Sequence, residues 1–134
     1  MRKATTAKAE NQPSMTVWGT GTPRREFLYS DDLGDACATL LALPWNKIAG
    51  VFPKPTLPLI NVGYGEDLTI RELAEAIADA AGFTGAIEWD RSKPDGTPRK
   101  LMDSSRIRTL GWKLQTPLAS GLQKISAEIK PFSK

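Results

Sequence analysis

The sequence has no histidine and only one cysteine, Cys37, among its 134 residues. Histidine is the commonest proton shuttle near neutral pH, so the chain lacks the usual general acid and base of an enzyme. Without histidine or paired cysteines it shows no metal site and no internal disulfide, and the lone thiol suits a reducing cytosol. The segment DACATLLAL predicts a buried helix face on which Cys37 is a packed thiol rather than a nucleophile. We expect any enzyme chemistry to depend on residues outside this chain.

Long apolar runs are also missing. No segment approaches the ~18 apolar residues that a membrane-spanning helix requires. The first fourteen residues, MRKATTAKAENQPS, lack the apolar core of a secretory signal. A hydrophobic content of 40% and a charged content of 25% are ordinary for a globular protein. The sequence therefore predicts a cytoplasmic chain without a membrane partner.

Charge is distributed unevenly along the chain, although the net charge is only +3. Residues 1–25 carry five basic residues and one acidic residue. Residues 26–90 carry three basic and eleven acidic residues, and residues 91–134 carry ten basic and three acidic residues. Basic ends of this kind fit an anionic small ligand, a nucleic acid or ordinary solvated faces. The basic residues are not interleaved with aromatic residues and no nucleic-acid-binding module is present, so we do not expect a nucleic-acid partner.

Hydrophobic patterning predicts a loose alternation of strands and helices, and hence an α/β fold. Residues 1–14 are predicted to be a polar tail or a helix remnant, and residues 15–134 to form one domain. The residues from Trp45 to Pro58 contain three prolines and a glycine, which predicts a loop. The predicted strands are residues 15–18, 25–29, 59–64 and 85–90.

Capping signals mark the predicted helices. The clearest one follows a T-x-x-E capping box at Thr69 and Glu72 and ends at Gly82. Asp31 or Asp32 is predicted to cap the helix that Pro44 ends. A short helix is closed at Gly111, and Thr116 is predicted to cap a final helix. The four predicted helices fall within residues 32–43, 70–81, 103–112 and 116–130.

Two loops combine a rigid Gly-Thr-Pro turn with basic side chains. They are VWGTGTPRREF, from Val17, and KPDGTPRK, from Lys93. The first matches neither the P-loop nor the dinucleotide fingerprint. Rigid turns fix the direction of a basic side chain, arginine and lysine suit phosphate oxygens, and Trp18 offers a flat surface to a sugar or base ring. Together the loops indicate a site for an anionic ligand, although either could be an ordinary surface turn.

Three blocks of the sequence resemble, in the same order, the C-terminal half of the GDP-L-fucose synthase family. They are VWGTGTPRREFLYSDDLGDAC, LINVGYGEDLTIRELAEAIADAAGF and SKPDGTPRKLMDSSRIRTLGW. The resemblance covers the chain from about Met15 to Leu122. This family, also called GDP-4-keto-6-deoxy-D-mannose 3,5-epimerase/4-reductase, belongs to the extended short-chain dehydrogenase/reductases. The resemblance implies a homodimeric enzyme that epimerises the keto sugar at two carbons and reduces it with NADPH to GDP-L-fucose.

The family motifs place four substrate-binding residues on this sequence. Trp18 and Arg25 are implied to contact the nucleotide sugar, Asp95 to contact the substrate, and Lys100 to lie near the phosphates. The family's N-terminal Rossmann half, with its NADP fingerprint, Y-x-x-x-K pair and catalytic cysteine and histidine, has no counterpart in this sequence. The resemblance therefore implies no catalytic, cofactor-binding or metal-binding residue in this chain, and NADP(H) binding only in the complete enzyme.

The sequence leaves three hypotheses. The first is a nucleotide-sugar-binding domain at residues 15–134, inactive alone, that works with a Rossmann half supplied in cis or in trans. The second is a non-catalytic remnant or GDP-sugar-binding module, and the third is a small basic nucleic-acid-binding domain. In the family, the helix after Tyr29 is expected to pack partly against the Rossmann half. A chain without that half is predicted to expose one apolar helix face, formed by Leu33, Cys37, Leu40 and Leu41.

Overall fold

The computed structural model describes residues 1–52 and 57–131. The chain divides into two compact units. The first unit comprises Met1–Arg25, Leu68–Lys100 and Pro117–Lys134, and the second comprises Glu26–Asp67 and Leu101–Thr116. The loop predicted at residues 45–58 is wrong at its start, where Trp45–Ala49 form a short helix, and its residues 53–56 lie outside the described residues.

Helices and short strands alternate along the described residues, which confirms the predicted α/β class. The helices are α1 Arg2–Ala9, α2 Ser30–Ala42, α3 Trp45–Ala49, α4 Ile70–Ala81, α5 Ser105–Thr109 and α6 Leu118–Glu128. The strands are β1 Ser14–Trp18, β2 Arg24–Arg25, β3 Leu68–Thr69, β4 Ala86–Asp90 and β5 Arg99–Lys100.

The first unit contains two small sheets. Strand β1 pairs in parallel with β4, in a register that runs from Ser14 opposite Ala86 to Trp18 opposite Asp90. Strand β2 lies between β3, to which it is antiparallel, and β5, to which it is parallel. Helix α1 belongs to this unit and supplies part of its core, so residues 1–14, predicted as a polar tail or a helix remnant, contain a helix that is packed into the unit. The buried core residues are Ala4, Ala7, Met15, Ala78, Ala81 and Phe83.

Helix α4 begins and ends where the sequence predicts. The Thr69 side chain accepts a hydrogen bond from the Glu72 amide at 3.1 Å, and the Glu72 carboxylate accepts one from the Thr69 amide at 2.7 Å. This reciprocal pair confirms the capping box. Gly82 ends the helix in a left-handed conformation with φ of 65°, as its position predicts.

The second unit contains α2, α3 and α5, and no strand among its described residues. The segments predicted as strands at 25–29 and 59–64 do not form ladders, apart from Arg25 at the end of β2 in the first unit. Alternation identifies which side chains are buried, and a ladder also needs a neighbouring strand. Ile60 and Val62 do pack against the unit's core, whose buried members are Ala36, Ile107 and Trp112.

Carboxylates take the place of strand partners in the second unit. Glu26 accepts hydrogen bonds from the amides of Gly65 and Met102 at 3.1 and 2.6 Å. Asp35 accepts from the Trp112 indole and the Gln115 amide group, both at 3.0 Å. These bonds join segments that are distant in sequence.

The predicted caps of α2 and α6 are wrong. Asp32 is buried and accepts from the amides of Gln115 and Thr116 and from the Thr116 hydroxyl, at 3.0, 2.9 and 2.7 Å. The N-caps are instead Tyr29 and Pro117, neither with a side-chain cap bond. Pairing these polar groups inside the unit avoids the free-energy cost of burying them unsatisfied, which exceeds the contribution of a surface cap.

The thiol of Cys37 is exposed, so its prediction as a packed thiol is wrong and its place on the predicted exposed face of the helix is confirmed. Helix α2 buries the face that carries Asp32 and Ala36, and Cys37 is rotated about 100° away from Ala36. Leu33 and Leu41 are 45% and 88% exposed, which confirms the predicted exposed face at those positions. Leu40 packs against the core instead.

Candidate functional site

The two basic loops meet in the first unit through β2 and β5. Arg25 lies opposite Lys100 in this parallel pair, and Arg24 lies opposite Arg99. Neighbouring strands are roughly 4.8 Å apart, and residues in register point to the same face. Arg25 and Lys100, which are 75 positions apart in the sequence, therefore emerge side by side.

The guanidinium of Arg25 is held against the second loop. Its Nη1 donates a hydrogen bond to the Arg24 carbonyl at 2.6 Å. A Cβ atom at Gly96 would lie 3.1 Å from its Nη2, so the glycine allows this close approach. Arg25 is half-buried and Lys100 is exposed. The structure thus pairs a restrained guanidinium with a freely accessible ammonium group.

Asp95 ties the second loop to the first. Its Oδ1 accepts from the Thr20 amide at 2.9 Å, and its Oδ2 accepts from the Thr20 hydroxyl at 2.6 Å. The hydroxyl bond, followed by the amide bond, holds the pKa of this exposed carboxyl below its usual value. Because the single Thr20 hydroxyl proton goes to Asp95, the Thr22 hydroxyl donates to Thr20 in their 2.8 Å contact.

The glycines of the first loop are required by their surroundings. Gly19 and Gly21 have φ values of 85° and 80°, which favour glycine. A Cβ atom at Gly19 would collide with the Asp95 carboxylate, and one at Gly21 would lie 2.6 Å from the Trp89 ring. The loop that separates Trp18 from Arg25 is therefore closely packed on both glycines.

Trp18 lies at the end of β1 with 65% of its surface exposed. The ammonium nitrogens of Lys3 and Lys93 lie 5.5 and 5.7 Å from the centre of its ring. Both distances are within the range of a cation–π interaction. Lys3 also donates to the Thr16 carbonyl at 3.0 Å, which fixes α1 near the ring.

Sequence reasoning missed Lys3, because it assigned residues 1–14 to a polar tail or a helix remnant outside the binding domain. The signal that would have found it is the spacing of Ala4 and Ala7, which places two small residues on one buried helix face. All four predicted site residues lie in the first unit, and Lys3 and Lys93 join Trp18 there.

The arrangement is suited to binding an anion that carries a flat or sugar ring. Lys3 and Lys93 lie over the Trp18 ring, Arg25 lies beside Lys100, and the Asp95 carboxylate binds Thr20. Within residues 1–52 and 57–131, no three His, Cys, Asp or Glu side chains form a group that could hold a metal ion. No helix in that part of the chain is long and apolar enough to cross a bilayer.

A family model described as the NAD dependent epimerase/dehydratase family matches residues 1–52. Among curated proteins, GDP-L-fucose synthase 1 of Arabidopsis thaliana is 47% identical over 124 residues, which is 92% of this chain and 35% of that protein. GDP-L-fucose synthase of Escherichia coli K12 is 46% identical over 122 residues, which is 91% of this chain and 38% of that protein. The chain thus spans about a third of the length of these relatives.

Solved structures share the fold. A GDP-6-OMe-4-keto-L-xylo-heptose reductase from C. jejuni aligns with a TM-score of 0.76 at 36% identity, over 87% of this chain and 34% of that one. A GDP-L-fucose synthetase from Naegleria fowleri bound to NADP aligns with a TM-score of 0.71 at 29% identity, over 93% and 36% of the two chains.

Proposed function

We propose that this chain binds a GDP-sugar as the substrate-binding part of a larger enzyme. The premise is its homology to the GDP-L-fucose synthases, which belong to the extended short-chain dehydrogenases/reductases. The observation that carries this proposal is the register of Arg25 with Lys100 on neighbouring strands. Two adjacent cations complement a diphosphate, which carries adjacent negative groups. The names of the relatives support a GDP-sugar as the ligand.

Each site residue has a proposed role. Arg25 offers a planar fork for two phosphate oxygens, and Lys100 acts as a point charge beside it. Trp18 packs against the base or sugar ring, with Lys3 and Lys93 favouring negative charge nearby. Asp95 accepts from ligand hydroxyls, since an ionised carboxylate has about four acceptor positions and Thr20 uses two of them.

In the complete enzyme, residues 15–134 with Lys3 would form the C-terminal nucleotide-sugar-binding domain. A Rossmann half, in cis or in trans, would bind NADPH, which supplies the hydride when GDP-4-keto-6-deoxy-D-mannose is converted to GDP-L-fucose. We assign this chain binding and orientation of the sugar nucleotide, in a cytosolic homodimer. Neither Tyr29 nor Tyr64 is followed by a lysine at Y-x-x-x-K spacing, so the chain alone is expected to give no turnover.

The exposed apolar side chains of α2 favour a second candidate, a non-catalytic remnant or GDP-sugar-binding module. Leu33 and Leu41 are exposed, and such a surface promotes self-association when nothing covers it. Size-exclusion chromatography of the purified chain tests this candidate. A remnant elutes as oligomers or aggregates, and a clean monomer counts against it.

Calorimetric titration with GDP-mannose tests the proposed site. A charge-assisted contact contributes about 1.5–3 kcal/mol, so Arg25→Ala and Lys100→Ala should each weaken binding about 10- to 100-fold. Lys47→Ala removes one exposed positive charge from the second unit and is the matched control. Unchanged affinity in both site variants would refute the proposed site. NADPH oxidation by the purified chain with the keto sugar would contradict the expected lack of turnover.

A further inference from the structure

The first basic loop has a second support besides Asp95, and it comes from Arg71 at the start of α4. The Arg71 amide donates to the Gly21 carbonyl at 2.9 Å. Its Nη2 donates to the Thr20 carbonyl at 3.1 Å. One residue therefore satisfies two successive carbonyl groups of the turn, through its backbone and through its side chain.

The side chain of Arg71 is itself restrained by Trp89. Its guanidinium carbon lies 4.6 Å from the centre of the indole ring, a stacking distance for arginine on an aromatic face. The same ring packs under Gly21, where a Cβ atom would come within 2.6 Å. Trp89 lies in β4 opposite Val17 of β1, the residue immediately before Trp18.

These contacts act on one short segment from two directions. Asp95 binds the amide and hydroxyl of Thr20, and Arg71 binds its carbonyl. Thr20 is thus fixed at every polar group it has. The segment joins Trp18 to Arg25, so its conformation sets where the indole and the guanidinium point.

We propose that Arg71, stacked on Trp89, is a positioning residue that holds the Gly19–Thr22 turn so that the Arg25 guanidinium reaches the bound diphosphate. This inference rests on the proposed function, because it assigns Arg71 a role in that same site. Arg71 acts through the turn and not by contact with the ligand. Its planar fork and its stacking are the properties that matter, and its charge alone does not replace them.

The decisive variant is Arg71→Lys, which keeps the charge but loses the planar stack and the forked donor. We expect it to bind GDP-mannose about fivefold more weakly than the original chain, with Arg71→Met similar. In an Arg25→Ala background, Arg71→Met should have less than a twofold further effect, because the guanidinium that it positions has been removed. Arg91→Lys, the same exchange at another exposed arginine of the first unit, is the matched control and should bind within twofold of the original chain.

A measurement without ligand separates this inference from the proposed function. Positioning predicts that Arg71→Lys loosens Thr20, so the pKa of Asp95, followed by NMR, should rise toward its ordinary value. An arginine that only contacts the ligand would leave that pKa unchanged. Any one of three results would overturn the positioning role. These are an unchanged Asp95 pKa in Arg71→Lys, full GDP-mannose affinity of Arg71→Lys, and a double variant whose fold-loss in affinity is the product of the losses in Arg71→Met and Arg25→Ala. A shifted Asp95 pKa with no effect of Arg25→Ala on binding would instead remove only the GDP-sugar site.

Discussion

Different interactions stabilise each of the two units of this chain internally. In the first, backbone ladders join β1 to β4 and join β2 to β3 and β5, and a capping box starts α4. In the second, whose described residues include no strand, side chains connect the distant segments: Glu26, Asp32 and Asp35 accept bonds, and Asn61, Arg106 and Arg108 donate to backbone carbonyl groups. The first unit thus relies mainly on bonds between backbone groups, and the second relies on bonds made by a few polar side chains.

The exposed side chains of the two units also differ. In the first unit, Trp18 is a large exposed side chain, and two lysines lie over its ring. The large exposed aliphatic side chains of the described residues lie in the second unit and include Leu33, Leu41, Leu57 and Leu59. The first surface suits an anionic ring-bearing ligand. The second suits contact with protein, in line with the proposal that a further part of the enzyme covers it.

The largest expected effect comes from removing a carboxylate of the second unit. Asp32→Ala should lower the free energy of unfolding by about 4 kcal/mol, because it leaves the three donors of Gln115 and Thr116 without their acceptor. Asp31→Ala, which removes an exposed neighbour in the same helix, should change it by less than about 0.5 kcal/mol. Urea unfolding measures both. Equal midpoints for the two variants would contradict the importance of the buried carboxylate.

Replacing a glycine by alanine is expected to have opposite effects on the free energy of unfolding at two positions, one in each unit. Gly21→Ala should cost about 3 kcal/mol, since the residue has a positive φ and a Cβ atom would collide with the Trp89 ring. Gly34→Ala should instead stabilise the chain by about 0.8 kcal/mol, because Gly34 lies inside α2 with open space around it. Thermal or urea unfolding distinguishes these signs. A tolerated Gly21→Ala would show that the turn is not closely packed.

Loss of the α4 cap should have a moderate effect. Thr69→Ala removes the acceptor for the Glu72 amide and should cost about 1 kcal/mol. Thr84→Ala, at an exposed position in the same unit, is the matched control and should be neutral. If the two variants unfold at the same urea concentration, the capping box contributes nothing measurable.

The smallest effect on folding is expected at the apolar surface of the second unit. Leu41 is 88% exposed, so Leu41→Gln should change the free energy of unfolding by less than about 0.5 kcal/mol. Self-association, measured by sedimentation or size exclusion, should fall because the variant interrupts the exposed face of α2. A large loss of stability would mean that Leu41 has packing partners.

Short sequence motifs predicted the helix ends and strands that adjacent residues determine. They failed for side chains whose hydrogen-bond or packing partners are distant in the sequence. The T-x-x-E box, Gly82 and the strands at β1 and β4 were predictable because a few adjacent residues determine them. The partners of Asp32 are 83 and 84 positions away, and no local pattern distinguishes its carboxylate from a surface cap. The position of Lys3 beside Trp18 likewise depends on how α1 packs.

A double-mutant cycle at Arg25 and Lys100, with GDP-mannose binding measured by calorimetry, tests the central claim most directly. Two cations that grip one diphosphate are coupled, so the loss of affinity in the double variant should differ from the sum of the single losses by at least about 0.5 kcal/mol. Strictly additive losses, or no loss in either single variant, would contradict a shared site.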